Sequence, residues 1–393
     1  MSEDRPVTVP VVGRIDSTTS SDLQALVDKA FAEHPTALTF DFNDAEYISS
    51  AGLRVLLSAK KLCGKDIPMK VVNVPLEVKE VFDVTGFSSI MDVEERLRTV
   101  DVTGCPMIGA GACGECYRLD EETIIKLYYE RISDETIAEE KRLAKQAFVL
   151  GVPTAISYDI VRVGNRKGVI YELINAKNLT ELMRDDFEHI EEYVKVYVDV
   201  AKEVHSIHTN DPGLMDFKDN NRADIPNIAR ITEEERALLY RFLDLVPDAD
   251  TCVHGDLNPN NIMLENGHVS LIDMGEFARG FTMFDLSRIM FTFWFGPDGD
   301  DDFYPFFKMT GGQCRKIWTL FVKYYFGADS LEEAAKTNPD AAWVEPLAKF
   351  RCVASMLKGQ RWSEAKHEEA LGYLHNDLIP LIHHLEETGG KIG

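Results

Sequence analysis

Positive charge is in short supply in this chain. Its 42 Lys and Arg residues face 66 Asp and Glu, giving a formal net charge of −24 over 393 residues. That excludes a nucleic-acid backbone or an anionic membrane surface as the principal partner, because both reward basic proteins. A cationic ligand is compatible with it, and so is an acidic surface that serves only solubility. Long apolar runs are missing too: no uninterrupted stretch approaches the roughly 20 residues that cross a bilayer. Met1-Ser2-Glu3-Asp4-Arg5-Pro6 is polar and acidic, so no secretory signal is expected there. Cysteine is sparse and irregular, seven in all. The C-x-x-C pair Cys113 and Cys116 has neither a second pair nor histidines at ligand spacing, which argues against a zinc site. A reduced, cytoplasmic setting is the expectation. There is no internal repeat, and no segment is polar enough to read as disordered.

Chemistry is concentrated in the stretch His254-Gly255-Asp256, with Asn261 five residues after the aspartate and Asp273 beyond it. Phosphoryl transfer from ATP needs a carboxylate to orient the attacking hydroxyl and oxygen ligands to hold Mg²⁺ against the phosphates. Asp256 suits the first role. Asn261 and Asp273 suit the second, since Mg²⁺ is a hard cation. Between them, Ile262-Met263-Leu264, Glu265-Asn266-Gly267 and Val269-Ser270-Leu271-Ile272 read as a hairpin around an Asn-Gly turn. Such a hairpin brings Asn261 and Asp273 out at one edge.

Upstream, Gly109, Gly111 and Gly114 form a G-x-G-x-x-G loop. A dinucleotide fingerprint would need a helix after it. Here Cys116 to Leu119 and Thr123 to Tyr128 read as strand, turn, strand, so the glycines belong to a hairpin over phosphates, where the missing Cβ lets backbone N–H groups approach. Lys126, between Ile125 and Leu127 on a half-buried strand, needs an anionic partner. A helix from about Ser133 to Leu150 offers Glu140 for that pairing, with Glu139 as the alternative.

From about Gly104 onward these motifs resemble the aminoglycoside phosphotransferase and choline kinase-like family, a branch of the protein-kinase-like fold. The resemblance implies an α+β bilobal domain over about 100–393, with an N-lobe over 100–173 and a C-lobe over 174–393. It implies ATP and Mg²⁺ as cofactors and a hydroxyl acceptor, a small molecule first and a protein side chain second. Tyr171-Glu172-Leu173-Ile174 matches the stretch joining the lobes, whose backbone would bond adenine. His254 and Asp285 match residues that support the catalytic loop. The rival reading is a nucleotide-sensing regulatory protein, in which the family resemblance implies loss of Lys126, Asp256 or Asp273; all three are present.

Residues 1–99 read as a separate α/β module of alternating strands and helices. Gly13-Arg14-Ile15-Asp16, the run Tyr47 to Leu57 containing Ser49-Ser50-Ala51-Gly52, and Val84-Thr85-Gly86-Phe87 resemble the STAS domain of anti-sigma factor antagonists. The resemblance implies a protein partner and, in switching members, a phosphorylated residue just before the glycine. That position is Ala51 here. Ser49 and Ser50 read as helix caps, with Ser50 the candidate phosphosite if the switch is shifted by one residue. Beyond Asn178 the chain reads as mostly helical, with the aromatics from Met290 to Phe295 in the core and Asp298 to Asp302 as an acidic loop.

Overall fold

The computed structural model of the chain describes residues 5–265, 267–358 and 362–388. Asn266, the expected hairpin tip, and Met1-Ser2-Glu3-Asp4 lie outside the described residues. The chain divides into two compact units, Met1–Asp101 and Val102–Gly393.

In the first unit, strands β1 (Pro6–Ile15), β2 (Ala37–Ile48), β3 (Met69–Val74) and β4 (Asp92–Glu95) form a parallel sheet in that order. Helices α1 (Ser20–Ala32), α2 (Ser50–Cys63) and α3 (Leu76–Val84) connect them, as parallel pairing requires. Phe40, Phe42, Leu56, Val71 and Phe82 are fully buried in its core. The fourth strand is absent from the sequence reading: Asp-Val-Glu-Glu at the sheet edge shows no sustained apolar alternation. At the start of α2, Ser49 Oγ accepts from the Ala51 N–H at 3.2 Å, and Ser50 is exposed in the first turn. Gly52 is needed there because a Cβ would lie 2.7 Å from Ile15 and Ile48 side-chain carbons.

The second unit opens with an antiparallel run of five strands. These are β5 (Met107–Ala110), β6 (Gly114–Arg118), β7 (Thr123–Tyr128), β8 (Ser157–Val163) and β9 (Arg166–Glu172), in the spatial order β8-β9-β7-β6-β5. Helix α4 (Asp134–Val149) follows β7. Ser133 caps it by accepting from the Thr136 N–H at 3.2 Å, and Asp134 and Glu135 in the first turn suit the positive end of the helix dipole. The rest is mainly helical. It holds helices α5 (Ile190–His205), α6 (Met283–Met290), α7 (Gly311–Phe326) and α8 (Val344–Met356) and a small hairpin, β10 (Ile262–Glu265) and β11 (His268–Leu271).

The core reaches directly to the hairpin's neighbourhood. Tyr197 on α5 is fully buried between Phe321 and Phe293, with ring centroids 5.0 Å and 6.5 Å away. Its hydroxyl donates to the Leu257 carbonyl at 2.7 Å, tying the loop after Asp256 to the core. Most of the aromatic run beyond α6 is core: Phe291, Phe293 and Phe295 are buried, while Trp294 is exposed. Two aspartates of the acidic loop meet cations, Asp300 pairing with Arg315 and Asp298 lying 3.5 Å from Lys366.

Gly114 begins β6 so close to β7 that an added Cβ would stand 2.4 Å from the Leu127 carbonyl oxygen. Gly114→Ala is therefore expected to destabilise the second unit by about 1–3 kcal/mol. Gly109→Ala, which meets nothing within 4 Å, should change stability by less than about 0.5 kcal/mol. Denaturant melts of the two variants check this, and equal midpoints would contradict it.

Candidate functional site

Lys126 sits on β7 between the buried Ile125 and Leu127, opposite Cys116 on β6 and Val169 on β9. Its Nζ lies 2.6 Å from Glu140 Oε1 on α4 and 2.9 Å from Asp273 Oδ1. Burial pulls the ammonium's pKa down, but the charges of Asp273 and Glu140 outweigh that and hold it above the ordinary lysine value. Glu140 falls on the buried stripe of α4 with Ile137, Leu143, Ala144 and Ala147. Glu139 turns outward and pairs with Arg142 at 2.7 Å.

Asp273 adopts the left-handed conformation, φ 62° and ψ 58°, which non-glycine residues adopt at a cost of about 1–2 kcal/mol. Register Ile262↔Leu271 sets the stem of the β10–β11 hairpin, with Asn261 just before one strand and Asp273 just after the other. The Ile272 N–H donates to the Asn261 carbonyl at 3.0 Å. Asn261 is buried, and its Nδ2 donates to the Asp256 carbonyl at 2.9 Å and to Asp256 Oδ2 at 3.3 Å. With the amide nitrogen so engaged, Asn261 Oδ1 receives no donor from the described residues.

The loop is held from beneath by Asp285. Its carboxylate is fully buried and accepts from the His254 N–H and the Gly255 N–H, both at 2.8 Å, and lies 3.1 Å from His205 Nε2. Burial raises the Asp285 pKa, yet the His205 hydrogen bond and charge together with His254 leave it lowered. The His254 ring, also fully buried, bridges the Ile272 carbonyl at 3.2 Å and accepts from the Asp256 N–H at 3.3 Å. Gly255 has φ +81°, and a Cβ would lie 2.6 Å from the Glu276 carbonyl oxygen and Cβ. Only glycine fits between the histidine and the aspartate here.

Asp256 itself carries a partner that the motif does not announce. Arg288 Nε donates to Asp256 Oδ1 at 2.7 Å, and a second guanidinium nitrogen lies 2.6 Å from the same oxygen. Burial pushes the Asp256 carboxyl up, but the charges of Arg288 and Arg351 outweigh it and bring the pKa down to about 2. The signal was present: Arg288 is the single basic residue of α6, and an arginine in so apolar a helix calls for an anion. His205 and Tyr197 also hold the loop from His254 to Asn261, through Asp285 and the Leu257 carbonyl.

The remaining expected residues lie along the sheet. Gly109 and Gly111 are exposed on the β5–β6 hairpin, and the Gly111 N–H closes the turn on the Gly114 carbonyl at 2.8 Å. Gly114 owes its identity to the packing against β7. Glu172 ends β9 with its carboxylate accepting from the Ile156 N–H at 3.2 Å, so its side chain is committed to structure. The Ile174 N–H donates to no described residue. Ser50 belongs to the first unit.

Known proteins resemble both units. Residues 2–100 match the STAS domain and residues 108–316 the phosphotransferase enzyme family. Anti-sigma-F factor antagonist RsfB of Mycobacterium tuberculosis is 32% identical over 60 residues, 15% of this chain and 49% of that protein, so the match spans about half the relative's length. Putative anti-sigma factor antagonist BtrV of Bordetella bronchiseptica is 34% identical over 82 residues, 21% of this chain and 71% of that protein. Among solved structures, ADP-bound aminoglycoside phosphotransferase APH(2'')-Ib aligns at 14% identity and a TM-score of 0.45, covering 75% of this chain and 96% of its own.

Asp285→Ala would strand two buried N–H groups and the His205 ring, and is expected to cost about 3–5 kcal/mol. Because the Asp285 pKa is lowered on folding, its stabilisation is present above the ordinary carboxylate range and is lost as pH falls through the folded value. The stability gap between wild type and Asp285→Ala should accordingly narrow in acid. A gap unchanged between neutral and strongly acidic pH would contradict the assignment.

Proposed function

The chain belongs to the phosphotransferase enzyme family and carries an N-terminal STAS domain, and from this we propose that it transfers phosphate from ATP, with Mg²⁺, to a hydroxyl group on a small molecule under regulation by a protein bound to the STAS domain. One observation carries the reading: Lys126 and Asp273, 147 positions apart, meet at 2.9 Å, and the Ile272 N–H next to Asp273 bonds Asn261, whose amide reaches Asp256.

The donor set fits magnesium. No group of three His, Cys, Asp or Glu side chains could enclose a metal among the described residues, but Mg²⁺ commonly takes only one or two protein oxygens and fills its shell with water and phosphate. Asn261 Oδ1 and the Asp273 carboxylate supply that pair. When bound, the ion would neutralise charge building on the phosphate oxygens.

The chain's own groups do the rest. Lys126, fixed by Glu140, presents its ammonium to the phosphates next to the β5–β6 hairpin. The Ile174 N–H and the Glu172 backbone face adenine, matching the unspent donor at that stretch. Asp256 accepts a hydrogen bond from the acceptor hydroxyl. A carboxylate with pKa of about 2 is a weak base at neutral pH. Its work is to aim the oxygen, taking the proton only as the new P–O bond acidifies it. In the first unit, a phosphate on Ser50 would meet the unpaired N–H groups at the start of α2 and alter the charge of the partner surface.

Asp256→Asn should lower ADP formation with acceptor by about 10²–10⁴-fold while leaving Mg·ATP affinity within a few-fold of wild type. Lys126→Ala should weaken nucleotide binding as well as turnover. Coupled-assay rates and calorimetry measure the two effects, and an Asp256→Asn variant with wild-type turnover would reject the role given to Asp256.

A further inference from the structure

Arg288 contacts Asp256, Arg351 lies 3.6 Å from the neighbouring Glu276, and neither arginine has its hydrogen-bonding capacity filled. Arg288 directs both of its contacts to a single oxygen, Asp256 Oδ1, while Asp256 Oδ2 is turned to Asn261. Arg351, on α8, has a side chain only 17% exposed and donates a hydrogen bond to no described residue. Its nearest carboxylate is Glu276 Oε2 at 3.6 Å, beyond hydrogen-bond reach. A guanidinium carries five N–H donors. Among the described residues neither arginine has a fully buried nitrogen without a partner, so the unmet donors stay open to water or to a ligand. Burial and the like charge of Arg288 together pull the Arg351 pKa below its ordinary value.

The two guanidiniums belong to the same cluster as the reacting aspartate. Asp256 feels both charges, and Glu276 lies 3.6 Å from Arg351. Glu276 in turn packs on Gly255, where an added Cβ would stand 2.6 Å from it. A hydroxyl placed on Asp256 therefore brings the rest of its molecule beside Arg288 and Arg351. An amine would meet two positive charges there. A carboxylate or phosphate offers several acceptor oxygens in the planar geometry that guanidinium forks match.

Resting on the phosphotransferase reading, we infer that the acceptor is an alcohol bearing an anionic group, a carboxylate or a phosphate ester, held by Arg288 and Arg351. The net charge of the chain is compatible with a cation, but that charge is spread over the surface, and the local field at Asp256 is the one a substrate meets.

The test is calorimetric titration of the full chain, with Mg·ADP filling the nucleotide site. D-glycerate and glycerol 3-phosphate serve as anionic probes, glycerol and choline as neutral and cationic controls. At least one anion is expected to bind, with the controls silent, and the two anions distinguish carboxylate from phosphate. Arg351→Met should weaken the bound anion tenfold or more at unchanged Mg·ADP affinity, and Arg351→Lys should lose less. Binding of choline in preference to both anions, no anion binding at millimolar concentration, or equal anion affinity in Arg351→Met would overturn the inference and leave the phosphotransferase reading standing. Failure of wild type to bind Mg·ADP would instead overturn that reading, and this inference with it.

Discussion

An ammonium group set among strands must be surrounded by carboxylates, and the second unit is arranged around that need. Lys126 comes from the sheet, Glu140 from the helix after it and Asp273 from the far hairpin. An isolated buried charge costs several kcal/mol, more than the roughly 1 kcal/mol that a cap such as Ser133 contributes. The contact therefore ties down elements that the chain keeps far apart. It also bears on the left-handed backbone of Asp273: the strain is offset by the charge pair with Lys126.

A second constraint lies beneath the first. Asp285 fixes two consecutive N–H groups of the loop from His254 to Asn261, His205 orients Asp285, and Tyr197 ties the loop to the aromatic core. Gly255 is then the only residue that can pass Glu276 and Phe217. These contacts fix the Asp256 backbone, and Arg288 fixes its carboxylate. The site is thus rigid below and charged on one side, in contrast to the acidic surface of the whole chain. Net charge describes solubility and long-range attraction; the pair of guanidiniums sets the local field at Asp256.

Much of this was legible because the decisive residues sit at short, fixed spacings. The strand-turn-strand around the glycines, the hairpin bringing Asn261 and Asp273 together, and the helix offering Glu140 all follow from local pattern. The choice between Glu140 and Glu139 was decidable too, since Glu140 shares its helical phase with Ile137, Ala144 and Ala147. Other features were not legible. Gly114 looks like a phosphate glycine in sequence, but the close approach of β7 accounts for it. The β4 strand, all but one of whose residues are charged, is visible only through its neighbour β3. Arg351 belongs to no motif, and its meaning depends on α8 packing beside α6, which spacing does not encode.

The central claim is that Lys126 and Asp273 serve one ligand. A double-mutant cycle on Mg·ATP affinity, using Lys126→Ala, Asp273→Ala and the combined variant, tests it most directly. Residues sharing one ligand and one contact should be non-additive, with a coupling above about 0.5 kcal/mol. Strictly additive losses, or no loss from either change, would show that the two side chains do not meet over a nucleotide.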